Sequence, residues 1–217
     1  MISLFIDTAN FRLTVGIIDE NENKILSIFN EKIKNDLSVK IFEIIQECIN
    51  NANVKIENIN KIYSVIGPGS YTGIRIGVTI CKTFAWSKNI KVIPISSLEV
   101  IASTNTDYDY ILSAIDARRN CVYAGLYNKE MSNIIEDKYI EIEKLKNEIN
   151  KYNYITVTDD DIMLLGKSLK SDIDLIKIVN KHKNDCGVNP HNLNPNYLKI
   201  TEAEANRKWL VSVMTYL

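Results

Sequence analysis

Apolar residues open the chain in three blocks, "SLFIDTA", "RLTVGIID" and "KILSIFNEKI", with the polar turn "ENEN" between the second and third. Short apolar runs bounded by turn residues predict strands, so the first thirty-odd residues read as a three-strand meander. From Leu37 the period lengthens. Leu37, Ile41, Ile44, Ile45, Cys48 and Ile49 recur every three to four residues, which predicts an amphipathic helix ending near "NNAN". "IYSVIG" predicts another strand, followed by the loop "GPGSYTG" and a helix running to about Ser87. "KVIPIS" then predicts a strand and "SLEVIAS" a short helix. The polar stretch "STNTDYD" marks the best boundary in the chain.

Beyond that boundary the beginning recurs. "SAIDARRNCVYAGLYN", from Ser113, aligns without a gap on "LFIDTANFRLTVGIID", from Leu4, pairing Asp7 with Asp116 and Gly16 with Gly125. A constant offset of half the chain points to duplication, with lobes over 1–104 and 105–217. Two strand-rich lobes that each open on strand, Asp and hairpin have the layout of the actin, hexokinase and Hsp70 class, an analogy at the level of fold. The expected fold is therefore α/β, two-lobed and actin-like, with βββαβα-type lobes and the second one reduced. In the second half, "YITVTDDD" predicts a strand meeting an acidic turn. "IMLLGKSLK" predicts a helix capped by those aspartates, and "ITEAEANRKWLVSVMTYL" a closing helix that packs back on the first lobe.

The helix over 72–87 carries only Arg75 and Lys82 as charges. A surface helix normally keeps one polar face. This one is apolar or small nearly all round, so a second face must also be covered, by a helix of this chain or of another. Gly73 and Gly77, four apart, share a side and would let a backbone approach. The expected interface is Gly73, Arg75, Ile76, Gly77, Thr79, Ile80 and Thr83 on this helix, with Leu37, Ile41 and Ile45 on the earlier one.

The loop before it supports two readings. It lacks the lysine of a Walker A loop, and Gly67, Gly69 and Gly73 are spaced one residue too long for the dinucleotide fingerprint. Its glycines, with Ser70 or Thr72 as N-cap, nonetheless place amides at a helix N-terminus, where a phosphate is favoured. A glycine-rich turn that binds nothing is the alternative. The phosphate reading extends to an autonomous actin-like ATPase or kinase in which Asp7, Thr8, the 67–73 loop and Asp116 hold a nucleotide and Mg²⁺.

Charge and composition narrow the field. The net charge of −1 gives no electrostatic case for autonomous nucleic-acid binding. The four cysteines form no CxxC pair and the two histidines form no HxxxH or HExxH motif, so no metal site is expected. No apolar run reaches bilayer length, and "MISLFIDTAN" has no basic n-region, so a cytoplasmic protein is expected.

"FIDTA", "GPGSYTGIRIGV", "AIDARRNCVYAGLY" and "NYLKITEAEA", in that order and spacing, resemble the TsaB (YeaZ) family over nearly the whole chain. The resemblance implies a non-catalytic, actin-like subunit that forms N6-threonylcarbamoyladenosine at adenosine 37 of tRNA. It implies pairing through first-lobe helices with the catalytic, TsaD-type paralogue, or with a second copy when alone, and work alongside a TsaE-type ATPase. Contact with tRNA would come only through the complex, no cofactor would be required, and ATP or ADP with Mg would bind weakly at most. Where family members often carry a histidine before the first long helix, this sequence has Asn35 and Asp36.

Overall fold

The computed structural model describes residues 1–10, 12–33 and 36–199. Asn35 and the expected closing helix at 200–217 lie outside them. The meander forms as its hydropathy dictates: β1 (Ile2–Asp7), β2 (Arg12–Asp19) and β3 (Lys24–Lys32), each antiparallel to the next. α1 (Leu37–Asn51), β4 (Ile59–Val65), α2 (Tyr71–Lys88), β5 (Val92–Ile95) and α3 (Ser97–Ala102) follow, with β4 and β5 parallel to β1. The second half repeats this as β6 (Tyr110–Asp116), β7 (Cys121–Asn128), β8 (Asn133–Glu141), α4 (Ile142–Ile149), β9 (Tyr154–Val157), β10 (Ser168–Leu169) and α5 (Leu175–Lys181). The sheets run β3-β2-β1-β4-β5 and β8-β7-β6-β9-β10, with the same directions at every step. Duplication therefore holds at the level of topology, and the α/β class with a reduced second lobe is what the chain adopts.

Register is not duplicated. Gly16 faces Phe5 across the ladder, whereas Gly125 faces Ser113, the counterpart of Leu4. Gly16 makes room for Leu175 of α5, whose Cδ1 would sit 2.7 Å from an added Cβ. Gly125 makes room for Asp137, whose Oδ1 would sit at 2.2 Å.

The reduction falls at one place. Where the first lobe puts α2 between β4 and β5, the second puts only a short 3-10 turn, Met163–Leu165. The helix expected over "IMLLGKSLK" is corrected accordingly: Ser168 and Leu169 instead form β10 beside β9. The aspartates before it cap no helix. Asp159 accepts from the Ser171 amide at 3.2 Å, and Asp160 from the Asp116 amide at 2.7 Å, which ties the turn back to the first hairpin of its own lobe.

Each half lends its last described α-helix to the other. Leu175, Ile178 and Val179 of α5 join the first core with Phe5, Ile17 and Ile62, while Leu98, Ile101 and Ala102 of α3 pack with Ile111 and Ile155 in the second. Glu99 of α3 bonds across this exchange to the end of α5. His182 Nε2 lies 2.7 Å from Glu99 Oε1, its Nδ1 lies 2.7 Å from Asp185 Oδ2, and Lys181 Nζ lies 2.6 Å from the same Glu99 oxygen. Two carboxylates can only accept, so both ring nitrogens donate and the imidazole is held as a cation. Burial pulls the His182 pKa down, but Glu99 and Asp185 outweigh it and the net shift is upward. A raised base stabilises the fold fully below its unfolded value, near 6.5, and the contribution is lost as pH rises through the folded value. His182→Gln should therefore cost about 1–2 kcal/mol at pH 6, with the gap to the parent narrowing on the alkaline side. Thermal melts that show an equal gap at pH 6 and pH 9 would exclude a charged ring.

Candidate functional site

The residues singled out in the first half of the sequence gather around α2, while Asp116 lies at the end of β6 in the second sheet, and two of the roles change. Ser70 is the N-cap, its Oγ accepting from the Gly73 amide at 3.2 Å. The glycines around it face β1's end. An added Cβ would meet the Ala9 carbonyl at 2.2 Å from Gly69, the Thr8 carbonyl at 2.1 Å from Gly73, and Thr8 Oγ1 at 2.2 Å from Gly77. Thr8 Oγ1 donates in turn to the Gly73 carbonyl at 2.7 Å, and the Ser70 amide to Ala9 O at 2.6 Å. Gly73 thus admits a backbone, as the spacing indicated, but it is that of Thr8 in the same chain, and Gly77 admits the Thr8 side chain. Carbonyl oxygens likewise face the loop at its glycines, that of Asn196 at Gly67, of Ala9 at Gly69 and of Thr8 at Gly73, and these repel an anion where a phosphate cradle would offer amides.

The two aspartates make the same local turn. Asp7 Oδ1 accepts from the Ala9 amide at 2.8 Å, and Asp116 Oδ1 from the Arg118 amide at 2.9 Å, each two residues on. Their surroundings differ: Asp116 is exposed and Asp7 buried. Burial, opposed only in part by the Ala9 amide, pushes Asp7 up to about 6. An acid raised in this way weakens the fold once ionised. Stability is complete below the ordinary carboxylate range and falls as pH rises through 6. Asp7→Asn keeps the acceptor for Ala9 and removes the charge, so it should stabilise the protein at pH 7 by up to about 3 kcal/mol and do nothing at pH 4. Chemical denaturation at the two pH values checks this, and a destabilised Asn variant at pH 7 would show that ionised Asp7 has an uncounted favourable partner. Among the described residues, no group of three or more His, Cys, Asp or Glu side chains is placed to hold a metal ion.

The outward side of α2 is where the expected interface residues collect. Its inward side, Gly73, Ile74, Gly77, Val78, Cys81 and Ala85, is buried. Thr72, Arg75, Thr79 and Thr83 are exposed, and Ile76 and Ile80 half-buried. With Ser38, Phe42 and Tyr71 most of these line a groove of about 440 Å³ between α1 and α2. Ile41 and Ile45 are not on it. They are 0% and 7% exposed and cover the sheet with Ile44, Cys48 and Ile49, because that stripe is the strongest apolar face of α1, while Leu37 is half-buried. The residues that α1 does turn outward, Val39 at 64% and Phe42 at 61% exposure, were missed, as were Tyr71 at 59% and Trp86 at 63%. A signal for them exists: Val39 and Phe42 fall off the core stripe, and Trp86 continues the Thr79–Thr83 row at helical spacing. Arg75 stands over the Tyr71 ring at 5.1 Å and donates to its hydroxyl at 3.1 Å. Four large apolar or aromatic side chains exposed on one helix pair, around a groove with a pinned arginine, have the composition of a protein-docking face.

Comparison with known proteins agrees with this architecture. The family model "TsaD: tRNA N6-adenosine threonylcarbamoyltransferase" matches residues 24–169. The chain is 31% identical to the tRNA threonylcarbamoyladenosine biosynthesis protein TsaB of Bacillus subtilis, covering 98% of this chain and 99% of that protein. It is 27% identical to TsaB of Buchnera aphidicola subsp. Schizaphis graminum, over 69% and 73% of the two chains. Among solved structures, YeaZ from Pseudomonas aeruginosa superposes with a TM-score of 0.73 at 18% identity, covering 90% of this chain and all of that one, a likeness of fold.

Proposed function

Because this chain belongs to the TsaB (YeaZ) family, we propose that it takes part in tRNA threonylcarbamoyladenosine formation as a non-catalytic docking subunit. It binds the TsaD-type catalytic paralogue through the α1/α2 face and works with a TsaE-type ATPase. The observation that carries this reading is the groove itself, where Phe42 and Tyr71 stand exposed beside half-buried Ile76 and Ile80, with Trp86 exposed farther along α2. The family model supports the choice of partner. The transferase model spans both α1 and α2 of this chain, so the paralogue offers a counterpart helix pair, and two like faces can meet about a pseudo-twofold axis. A second copy of this chain would use the same face, so the homodimer and the heterodimer exclude each other. In this reading tRNA is met through the complex, and the chain needs no nucleotide of its own.

The test is reconstituted modification. A TsaD-type subunit, a TsaE-type ATPase, threonylcarbamoyl-adenylate supply, ATP and substrate tRNA are combined with and without this chain, and modified adenosine is followed. Dependence on the chain, together with co-elution with the catalytic subunit and no ATP turnover by the chain alone, supports the reading. Equal modification without it overturns the reading.

A further inference from the structure

We infer that the second lobe carries an RNA contact of its own. The turn between β6 and β7, together with Tyr139 of β8, holds a phosphate and an unpaired base of the RNA that the complex brings. The identity of that RNA rests on the reading above, whereas the pocket does not. The duplication shows what is unusual in this turn. Aligned on the first lobe, Arg118 and Arg119 stand where Ala9 and Asn10 do. Ala9 is buried under the start of α2, its carbonyl accepting from the Ser70 amide at 2.6 Å. The second lobe has only a 3-10 turn at the place of α2, so its hairpin is left open, and Arg118, Arg119 and Asn120 are all exposed. Their φ angles are 63°, 54° and 57°. Asparagine tolerates this left-handed region, but two successive arginines in it are strained. Strain of that kind persists where a turn holds a ligand.

The turn opens onto a pocket of about 410 Å³ lined by Arg119, Cys121, Tyr139, Glu141 and Lys144. That volume is in the range of small-ligand sites, and its chemistry is cationic and aromatic. Glu141 is matched by Lys144, whose Nζ lies 3.2 Å away, an exposed pair that yields readily to a competing phosphate. Asp116 keeps its carboxylate on the Arg118 amide. Arg118, Arg119, Lys144 and Lys199 thus outnumber Glu141 and Asp116 here, in a chain whose net charge is −1. Lys199 Nζ stands 5.0 Å over the Tyr139 ring, and Tyr139 pairs across the sheet with Tyr123, centroids 5.8 Å apart. An incoming base takes the ring's face and leaves the ammonium to the phosphate. Cations interleaved with aromatic rings are what a single-stranded segment of RNA requires, because its backbone follows the charge and its bases stack. The place suits the complex. Two residues before Lys199, the Tyr197 ring stacks on Tyr71, the first residue of α2, with centroids 5.3 Å apart. The pocket therefore lies beside the mouth of the docking groove, where its few contacts add to those of the partner.

The experiment measures binding of a fluorescent substrate tRNA to the assembled complex by anisotropy, over a range of salt. Arg118→Asn with Arg119→Asn removes both charges and eases the left-handed turn, so the fold is kept. Tyr139→Leu removes the ring and leaves the strand apolar. Each variant should weaken tRNA binding about tenfold, and the arginine pair should also flatten the dependence of log affinity on log salt by about one to two in slope. Unchanged affinity in both variants overturns the inference, and so does an arginine variant with the parent's salt slope. Chromatography with the catalytic subunit keeps the two readings apart, since neither substitution lies on the α1/α2 face and association should match the parent. Where the parent itself fails to associate, the docking reading falls, and the free chain is titrated with a single-stranded oligoribonucleotide at low salt. Binding that the arginine variant loses then upholds the pocket, and equal binding by parent and variant sinks it. AMP serves as the competing occupant. It should leave the RNA in place at millimolar concentration, and displacement would make this a mononucleotide site and overturn the RNA assignment.

Discussion

Gly73→Ala is expected to destabilise the protein by about 3 kcal/mol, against the sign that helix propensity alone would give. Alanine ordinarily gains about 1 kcal/mol over glycine inside a helix. At Gly73 the added Cβ would sit 2.1 Å from the Thr8 carbonyl oxygen. That atom belongs to the backbone directly after β1, so it cannot swing aside. Relief requires α2 to lift off the sheet, breaking the Thr8 Oγ1 bond to the Gly73 carbonyl and opening the packing of Ile74 and Val78. Overpacking of this kind costs about 1–3 kcal/mol, and the lost hydrogen bond adds to it. Gly77→Ala should cost less, because its clash is with Thr8 Oγ1, the end of a side chain that can turn away. Urea titration of both variants tests the ranking. A Gly73→Ala protein as stable as its parent would mean that the Thr8–Ala9 crossing is not as close as described.

Thr79→Glu should leave the fold intact and abolish docking. Thr79 is exposed in the middle of the groove, so the monomer tolerates the carboxylate. A partner helix laid over Ile76 and Ile80 would bury it without a counter-ion. An uncompensated buried charge costs about 3–5 kcal/mol, which weakens association by a factor of 100 or more. Size-exclusion chromatography with the catalytic subunit, alongside circular dichroism of the free variant, reads both halves. Wild-type association by a folded Thr79→Glu protein would remove α2's outward face from the interface.

The pattern of apolar positions determined the elements of the first lobe, because hydropathy period and capping are local. The helix from Leu37 to Asn51 has the bounds its periodicity predicts, and Ser70 caps α2 as its place before an apolar run requires. Chemistry close in sequence was equally legible, as in the duplicated Asp7 and Asp116 turns. What only the tertiary structure decided is which face of an element meets which neighbour. Spacing showed that Gly73 and Gly77 admit a close approach, but that Thr8 makes it, with its carbonyl at Gly73 and its side chain at Gly77, depends on how β1 and α2 are stacked. Ile41 and Phe42 adjoin in sequence, yet one closes the core and the other faces the groove, since neighbouring helical residues point about 100° apart. "IMLLGKSLK" has the composition of a helix and became a turn and a strand because β9 offered it an open edge to pair with. Gly16 and Gly125 align without a gap and still pair with non-equivalent residues, Phe5 and Ser113, because register is set by pairing across the sheet, which no local pattern encodes.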